Sequence, residues 1–525
     1  MTAAVLLVAI VAEDPTVMRN AARDDAAPQA TLWRGDWLEV RGETAGFLKV
    51  YDHRHERPGF VRASVVRQHR LDQATAPELR AVVRFLRDAP GNESLGIGYA
   101  ALYLRAAPAG ADDSEVFAAI GTMASRLARR ASARQAEGRD RALPGASPFA
   151  SATAAQVEVA ESYGVHFRSI ESLVGGGRAR LCYDGEAWER VLAAPGAPAI
   201  ERARAALFLA GGSCGDSSQG QAQGPSSAPA DRRAWNDRRV DALGGVDPAA
   251  LPAYLAGRLR LRRAEAFAWR AFDDARKGGL AGDGSGGEGA ARAEGAAVRE
   301  LALVDRGVLA PEDLDTYDDV AVRVAAARWA VEIPPREAGK RRFRIAVEPR
   351  AAGESCVRVF EVGAASGAGA ATSARLVGER CTYGVVWPSA LRWSPTGDAA
   401  TIAVQPLPSW TELWVIRRGQ ATPLAALAPA NGNAPPAAVT WTIEPLVPAA
   451  SDPEAGYVES AGFSPDGAHL LVVREARAPG HAQRRFQVLS LATLAVEKQA
   501  GGADRLLAFK RWSAAWWRAG TLALR

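Results

Sequence analysis

The chain has 525 residues, more than one hydrophobic core usually serves, so at about 100 to 200 residues per domain its length predicts about three domains. Hydrophobic residues make up 48% and charged residues 23%, an ordinary globular composition that excludes wholesale disorder, a collagen-like chain and a scaffold held only by disulfides. The formal charge is +5, from 64 basic and 59 acidic residues, and no basic cluster is interleaved with aromatic residues, so nucleic acid is not expected as a partner.

The N-terminal apolar stretch, Ala3 to Ala12, is much shorter than the roughly 20 residues of a transmembrane helix, so no transmembrane segment is expected. It also lacks the basic residues that open a signal peptide. Its β-branched part, Val5 to Val11, is predicted to form a first strand. If the protein is exported, we expect its leader to lie upstream of residue 1.

Residues 1–72 alternate short half-apolar strands with turns, which predicts a small all-β barrel. Four marks in this stretch resemble those of a bacterial SH3 domain: Val17-Met18-Arg19, Arg34-Gly35-Asp36, Gly46-Phe47-Leu48-Lys49-Val50 and Gly59-Phe60-Val61. In two of them Phe replaces Trp, and an insertion at 52–57 lengthens one hairpin. The resemblance implies an SH3-like β-barrel that attaches to cell-wall peptide or to another protein.

Five aromatic residues of this segment are candidate ligand-binding residues: Trp33, Trp37, Phe47, Tyr51 and Phe60. Two interpretations stand, because such side chains line a peptide groove in some small barrels and fill the core in others. The insertion carries His53, Arg54, His55 and Arg57 in a loop that we expect to be solvated, where they would add charge to the rim of a groove.

Residues 73–333 change to helical periodicity and predict an all-α middle domain. Helices are predicted at 77–87, 115–133, 184–193, 200–210, 247–276, 290–304 and 311–331. A small β-hairpin is predicted from 166–170 and 178–182. Two Gly-rich segments, 211–230 and 278–289, are predicted to be mobile linkers, because they bury too little apolar area to offset the entropy of ordering.

Residues 338–525 return to strands, predicted at 342–347, 355–360, 401–404, 413–416, 439–443, 470–473 and 486–489. Two turns share an aromatic residue followed by Ser-Pro-x-Gly: Trp393-Ser-Pro-Thr-Gly397 and Phe463-Ser-Pro-Asp-Gly467. They resemble the repeat of TolB-like, WD40-like β-propellers. The resemblance implies a partial propeller of about four blades with a protein-binding face, left incomplete or closed by another chain.

Four cysteines, at positions 182, 214, 356 and 381, fall into two sequential pairs. In an oxidising envelope we expect Cys182 to pair with Cys214 and Cys356 with Cys381, each bridge contributing roughly 3 to 4 kcal/mol. Four unrelated buried thiols are the alternative. No metal site is expected, because no Cys-x-x-Cys occurs and none of the 6 histidines lies at ligand spacing from a cysteine.

Three segments match the residue pattern of a known functional motif, but the structure predicted around each segment is not the one that the motif requires. The stretch 211–215 around Ser213 matches a nucleophile elbow, but a predicted helix precedes it where the elbow needs a strand. The stretch 282–287 matches a dinucleotide-binding loop but has no strand before it. The acidic run 312–319 lacks the Gly and the distal Glu of a calcium loop and is interpreted as a helix N-terminus. No catalytic residue and no cofactor is therefore predicted.

These features together predict a three-part, non-catalytic protein of the periplasm or cell envelope that binds or scaffolds through its N-terminal barrel. A cytoplasmic regulatory or protein-interaction module is one alternative, and an accessory part of a peptidase system without its own catalytic domain is another. Trp512, Trp516 and Trp517 are predicted to dock a last strand at 521–524.

Overall fold

The computed structural model describes residues 6–140, 148–171, 179–211, 229–281, 285–331, 343–350, 353–362, 374–419, 441–448, 455–478 and 481–519. An N-terminal antiparallel sheet, a helical middle and a C-terminal β-rich region follow one another along the chain, as predicted. The chain forms two compact units, Met1–Leu255 and Ala256–Arg525. The boundary between these units falls within the predicted helical segment 73–333.

The N-terminal sheet has seven antiparallel strands: β1 (Leu6–Val11), β2 (Thr16–Arg19), β3 (Pro28–Leu32), β4 (Trp37–Thr44), β5 (Phe47–Asp52), β6 (Arg57–Arg62) and β7 (Val66–Leu71). Their order across the sheet is β3-β2-β6-β5-β4-β1-β7. Within the described residues the edge strands β3 and β7 do not pair with each other, so the sheet stays open and does not close into a barrel.

Strand β1 is buried on both faces. Ala9 and Val11 belong to the core of the N-terminal sheet, whereas Val8 and Ile10 belong to the core formed by the helices of the first unit. All four side chains have 0% exposure. A strand covered on both sides must be apolar throughout, which explains the unbroken apolar run of the sequence here.

The first unit contains seven helices among its described residues: α1 (Ala76–Arg87), α2 (Glu93–Ala106), α3 (Ser114–Asp140), α4 (Pro148–Ser162), α5 (Glu186–Ala193), α6 (Ala199–Gly211) and α7 (Pro229–Gly244). The predicted hairpin lies between α4 and α5 as β8 (Phe167–Glu171) and β9 (Ala179–Tyr183). Helices α2, α4 and α7 were not predicted. Helix α2 carries apolar and small residues on all of its sides, as expected of a buried helix without an amphipathic stripe.

Helix α8 (Ala253–Ala281) begins at the end of the first unit and continues into the second. It is followed by α9 (Ser285–Ala302) and α10 (Pro311–Ala327), and a 3-10 turn at Arg328–Ala330 follows α10. The segment 278–289, predicted to be a linker, is helical on both sides of residues 282–284, which lie outside the described residues. Ala290 and Ala293 of α9 are buried, so packing of the alanines along this helix outweighs the low helix propensity of its glycines. The other predicted linker, 211–230, lies almost entirely outside the described residues.

The C-terminal region contains a three-stranded sheet, β10 (Phe343–Pro349), β11 (Ser355–Val362) and β12 (Ala374–Thr382). An eight-stranded sheet follows: β13 (Val385–Trp393), β14 (Ala399–Leu407), β15 (Trp410–Arg418), β16 (Trp441–Leu446), β17 (Ala455–Phe463), β18 (His469–Ala478), β19 (His481–Ser490) and β20 (Val496–Ala500). Strands β13 to β16 and β17 to β20 form two consecutive antiparallel meanders, and a short parallel pairing of β15 with β17 joins them in the described part of the sheet.

The two Ser-Pro-x-Gly turns occupy equivalent places in these meanders, between the first and the second strand. In each turn the Ser hydroxyl accepts the backbone N–H five residues on, at 3.1 Å for Ser394 and 2.9 Å for Ser464. The glycines, Gly397 and Gly467, have positive φ, as the turn requires. The repeated motif therefore marks a repeated structural unit.

Two short helices, α11 (Leu507–Trp512) and α12 (Ala515–Ala519), end the described part of the chain. Trp517 is buried, and Trp512 and Trp516 pack beside it on the side chains of β17 to β19. The last strand predicted at 521–524 lies outside the described residues, so the observed role of these tryptophans is helix packing.

Candidate binding face of the N-terminal sheet

Side chains alternate strictly along β5, and this alternation defines two faces of the sheet. Leu48 and Val50 point to the core and have 0% exposure. Phe47, Lys49 and Tyr51 point to the opposite side, which is called the outer face below.

Four of the five predicted aromatic residues lie on the outer face. Cross-strand pairs share a face, and Phe60 pairs with Lys49 while Glu39, two residues from Trp37, pairs with Tyr51. Phe47 is buried at 4% exposure beneath the guanidinium of its pair partner Arg62. The fifth residue, Trp33, lies in the turn before β4. None of the five belongs to the buried core cluster that the structure describes for this sheet, and their binding role stays a prediction.

Trp37 and Tyr51 are both framed by cations and share one histidine. His53 stacks on Trp37 with ring centroids 5.4 Å apart and meets the edge of Tyr51 at 4.9 Å. Arg105 of α2 lies 4.8 Å above the Trp37 ring, and Arg41 lies 4.2 Å above the Tyr51 ring. Cations over aromatic faces are attracted by the ring quadrupole, so the cluster holds two half-exposed rings in place.

Glu39 supplies the negative charge at the centre of this cluster. Arg41 donates from Nε to the Glu39 carboxylate at 2.9 Å, and His53 Nε2 lies 2.8 Å from its other oxygen. The hydrogen bond from Arg41, helped by that from His53, lowers the pKa of Glu39. The residue therefore stays ionised and orients Arg41 and His53.

The inserted hairpin is exposed, as expected, but its polar side chains are held. Arg54 reaches Asp36 at 3.2 Å and Glu158 of α4 at 3.1 Å. His55 Nδ1 lies 2.6 Å from the carboxylate of the buried Asp52. Burial raises the pKa of Asp36. The hairpin is thus tied toward the helices and presents His53, rather than Arg54, to the outer face.

The Arg34-Gly35-Asp36 turn, one of the marks of the SH3 resemblance, packs against the helices of the first unit. Tyr163 donates its hydroxyl to the Gly35 carbonyl at 2.5 Å, and Arg34 donates to the Asn92 side chain at 2.8 Å. A Cβ on Gly35 would lie 2.4 Å from the Ser94 carbonyl oxygen. Val8 and Ile10 of β1 pair with Glu39 and Trp37, so the helices that pack on them cover the outer face on the side of β1. The part of the outer face around the exposed Lys49 and the half-buried Tyr51 lies beyond these pairs and is the surface considered for a ligand.

Sequence reasoning missed Glu39, Arg41 and Arg105 as members of the cluster. Glu39 and Arg41 follow Trp37 at alternate positions of the same strand, a signal that was present in the sequence. Arg105 comes from a helix, and its place over Trp37 follows only from tertiary packing.

Some of the remaining predicted site residues lie within the described residues, and others lie outside them. A disulfide joins Cys356 to Cys381, as predicted. The second predicted pair, Cys182 with Cys214, includes Cys214, which lies outside the described residues, as does Ser213. The acidic run begins α10, where Arg258 donates to Asp313 at 2.7 Å, so the helix N-terminus interpretation is confirmed.

No protein-family model, curated protein or solved structure matches this chain. Among the helices within the described ranges, none is both long and apolar enough to cross a membrane.

Proposed function

We propose that this protein is a non-catalytic binding or scaffold protein of the cell envelope, whose ligand binds to the outer face of the N-terminal sheet. The observation that carries the proposal is the cluster of Trp37 and Tyr51, each half-buried and each with a cation over its ring, beside the exposed Lys49. Rigid aromatic side chains with arginine beside them are the residue types enriched at binding hot spots.

The charge of the face favours a ligand that carries carboxylates. The cations Lys49, Arg41 and Arg105 lie beside the two rings, and Glu39 binds Arg41 and His53. A peptide carboxylate would meet Lys49 while the peptide body covers Tyr51. The resemblance of this segment to bacterial SH3 domains implies cell-wall peptide, which is the ligand we propose.

An oxidising compartment is supported by the Cys356–Cys381 bridge, since such bridges persist outside the cytoplasm. The two four-stranded meanders, each with a Ser-Pro-x-Gly turn after its first strand, support the proposal that the C-terminal region is a partial TolB-like propeller. We assign that region a protein-binding role, in keeping with a scaffold.

Cosedimentation of the full chain with purified peptidoglycan tests the proposal. Tyr51→Ala and Lys49→Glu should each weaken binding at least roughly tenfold, because each removes one anchor of the ligand. Phe85→Ala is the matched control, since Phe85 is an aromatic residue with 74% exposure on α1 outside the face. Equal binding by all four proteins would refute the role of the outer face, and the absence of binding by the wild-type chain would refute the ligand.

A further inference from the structure

We propose that reduction of the Cys356–Cys381 disulfide creates a site for a thiophilic divalent cation such as Zn²⁺, with the two thiolates and Glu354 as protein ligands. Reduction opens the site and reoxidation closes it. The proposal does not rest on the function of the N-terminal sheet.

The three ligand groups already lie together. Cys356 of β11 and Cys381 of β12 are directly paired across the two strands, and Glu354 lies in the turn before β11. Their ligand atoms all lie within 4.8 Å of one another. Zinc binds cysteine sulfur at about 2.3 Å and carboxylate oxygen at about 2.0 to 2.2 Å, so a cation placed among the three reaches all of them after small side-chain rotations.

The charges around the pair single out Glu354 as the available carboxylate. The same face of the sheet carries Glu348 and Glu379, but arginines hold both: Arg358 binds Glu348 and Glu379, and Arg350 donates to Glu379 at 3.0 Å. Within the described part of the chain no ion pair involves Glu354, so its carboxylate can turn to a cation without losing a partner.

The burial of the three ligand groups favours a site in which the two cysteine sulfurs are the main metal ligands. Cys356 has 0% exposure, while Cys381 and Glu354 are half-buried. The site is therefore reached from one side, and two thiolates with one carboxylate leave a fourth tetrahedral position for water or a small ligand. Sulfur ligands select zinc over calcium or magnesium, which prefer oxygen alone.

A dithiol reductant supplies the electrons and protons that reduction of the Cys356–Cys381 disulfide requires. The dithiol transfers two electrons and two protons, the sulfur–sulfur bond breaks, and the reductant leaves as its own disulfide. Each cysteine then carries a thiol, and the cation displaces one proton from each on binding. The bridge and the cation thus exclude each other.

Anaerobic titration of the full chain with Co²⁺ tests the site, because a thiolate-to-cobalt charge-transfer band appears only when sulfur binds the metal. The dithiol-reduced chain should show the band and lose it on addition of Zn²⁺, while the oxidised chain should show none. The double variant Cys356→Ser/Cys381→Ser should lack the part of the band that belongs to this pair, which separates it from the other two cysteines.

Glu354→Gln should weaken Co²⁺ binding at least roughly tenfold, since it removes a ligand. Glu379→Gln is the matched control, because this acid lies 3.8 Å from Cys381 Sγ but is held by arginines, and it should leave the affinity unchanged. A reduced wild-type chain without a thiolate band, a band of undiminished intensity in the double variant, or equal affinities of Glu354→Gln and wild type would each overturn the proposal.

Discussion

At the residue scale, two glycines in turns of the N-terminal sheet differ in how closely other parts of the chain pack against them. Gly35 and Gly46 both have positive φ, at 100° and 75°. A Cβ on Gly46 would meet no heavy atom within 4 Å, whereas one on Gly35 would enter the backbone of α2. The sequence motif predicted the turn at Gly35, but the helix that it contacts follows only from the fold.

Gly35→Ala should therefore destabilise the protein far more than Gly46→Ala. The left-handed backbone alone costs an L-residue about 1 to 2 kcal/mol, which is the loss expected for Gly46→Ala. Overpacking against Ser94 should add at least about 2 kcal/mol at Gly35. Urea unfolding followed by circular dichroism measures both, and equal losses would contradict the packed turn.

A second residue-scale feature is a buried carboxyl on α9. Glu294 has 0% exposure, and neither of its side-chain oxygens finds a hydrogen-bond partner among the described residues. Burial raises its pKa well above the ordinary 4.5, although Arg328 lowers it in part. Because the folded chain holds the proton more tightly than the unfolded chain, this group makes stability fall as pH rises above about 4.5.

Glu294→Met should stabilise the protein by roughly 1 to 3 kcal/mol at pH 7, because an apolar side chain of similar size replaces an unpaired buried acid. The gain should shrink as the pH is lowered toward 4, where the unfolded carboxyl also becomes protonated. Thermal unfolding between pH 4 and 8 measures the trend. Glu288→Met, at an exposed position of the same helix, is the control and should change stability by less than about 0.5 kcal/mol at any pH. A gain that does not depend on pH would contradict a raised pKa at Glu294.

At the element scale, several strands with buried apolar β-branched runs were predicted, and several strands without such runs were missed. The predicted segments of β14, β15 and β18 are buried runs of this kind. Strands β12 and β20 are largely exposed, and β17 carries Glu459 in its buried centre, so none of them shows an apolar alternation. Their pairing partners, rather than their own residues, decide their structure.

The Cys356–Cys381 bridge connects two neighbouring strands and closes a loop of sequence separation 25. Removing it with Cys356→Ser/Cys381→Ser should cost about 3.5 kcal/mol in the chain-entropy model. The measurement is denaturant unfolding of the oxidised wild type and the double variant. Mass mapping of a non-reduced digest that found Cys356 and Cys381 alkylated would instead show that the bridge is absent.

At the scale of the whole molecule, the sequence predicted the order of β-rich and helical regions but not how they share cores. The unbroken apolar run of β1 was a signal that both faces of this strand are covered. It did not reveal that Val8 and Ile10 pack with α2, which joins the sheet and the first helices into one unit. Of the candidate site, the aromatic residues were predictable, whereas the cations that frame them depend on strand pairing and on a helix.

A truncated chain starting at Ala74 should consequently be unstable. Its helices would lose the cover of Val8, Ile10 and Trp37, and about 1.5 to 3 kcal/mol accompanies the exposure of each large apolar side chain. Lower thermal stability and strong binding of a hydrophobic dye are expected relative to the full chain. If the truncated chain unfolded at the same temperature as the full chain, the shared core would be disproved.

The central claim, that a carboxylate-bearing cell-wall peptide binds on the outer face, is tested most directly by carbodiimide coupling. This reagent joins a bound carboxylate to a neighbouring amine, and the lysines of the chain are few: Lys49, Lys277, Lys340, Lys498 and Lys510. After incubation of the full chain with a soluble peptidoglycan fragment, mass spectrometry should place the adduct on Lys49, and Tyr51→Ala should reduce its yield. Adducts on the other lysines with none on Lys49 would contradict the claim.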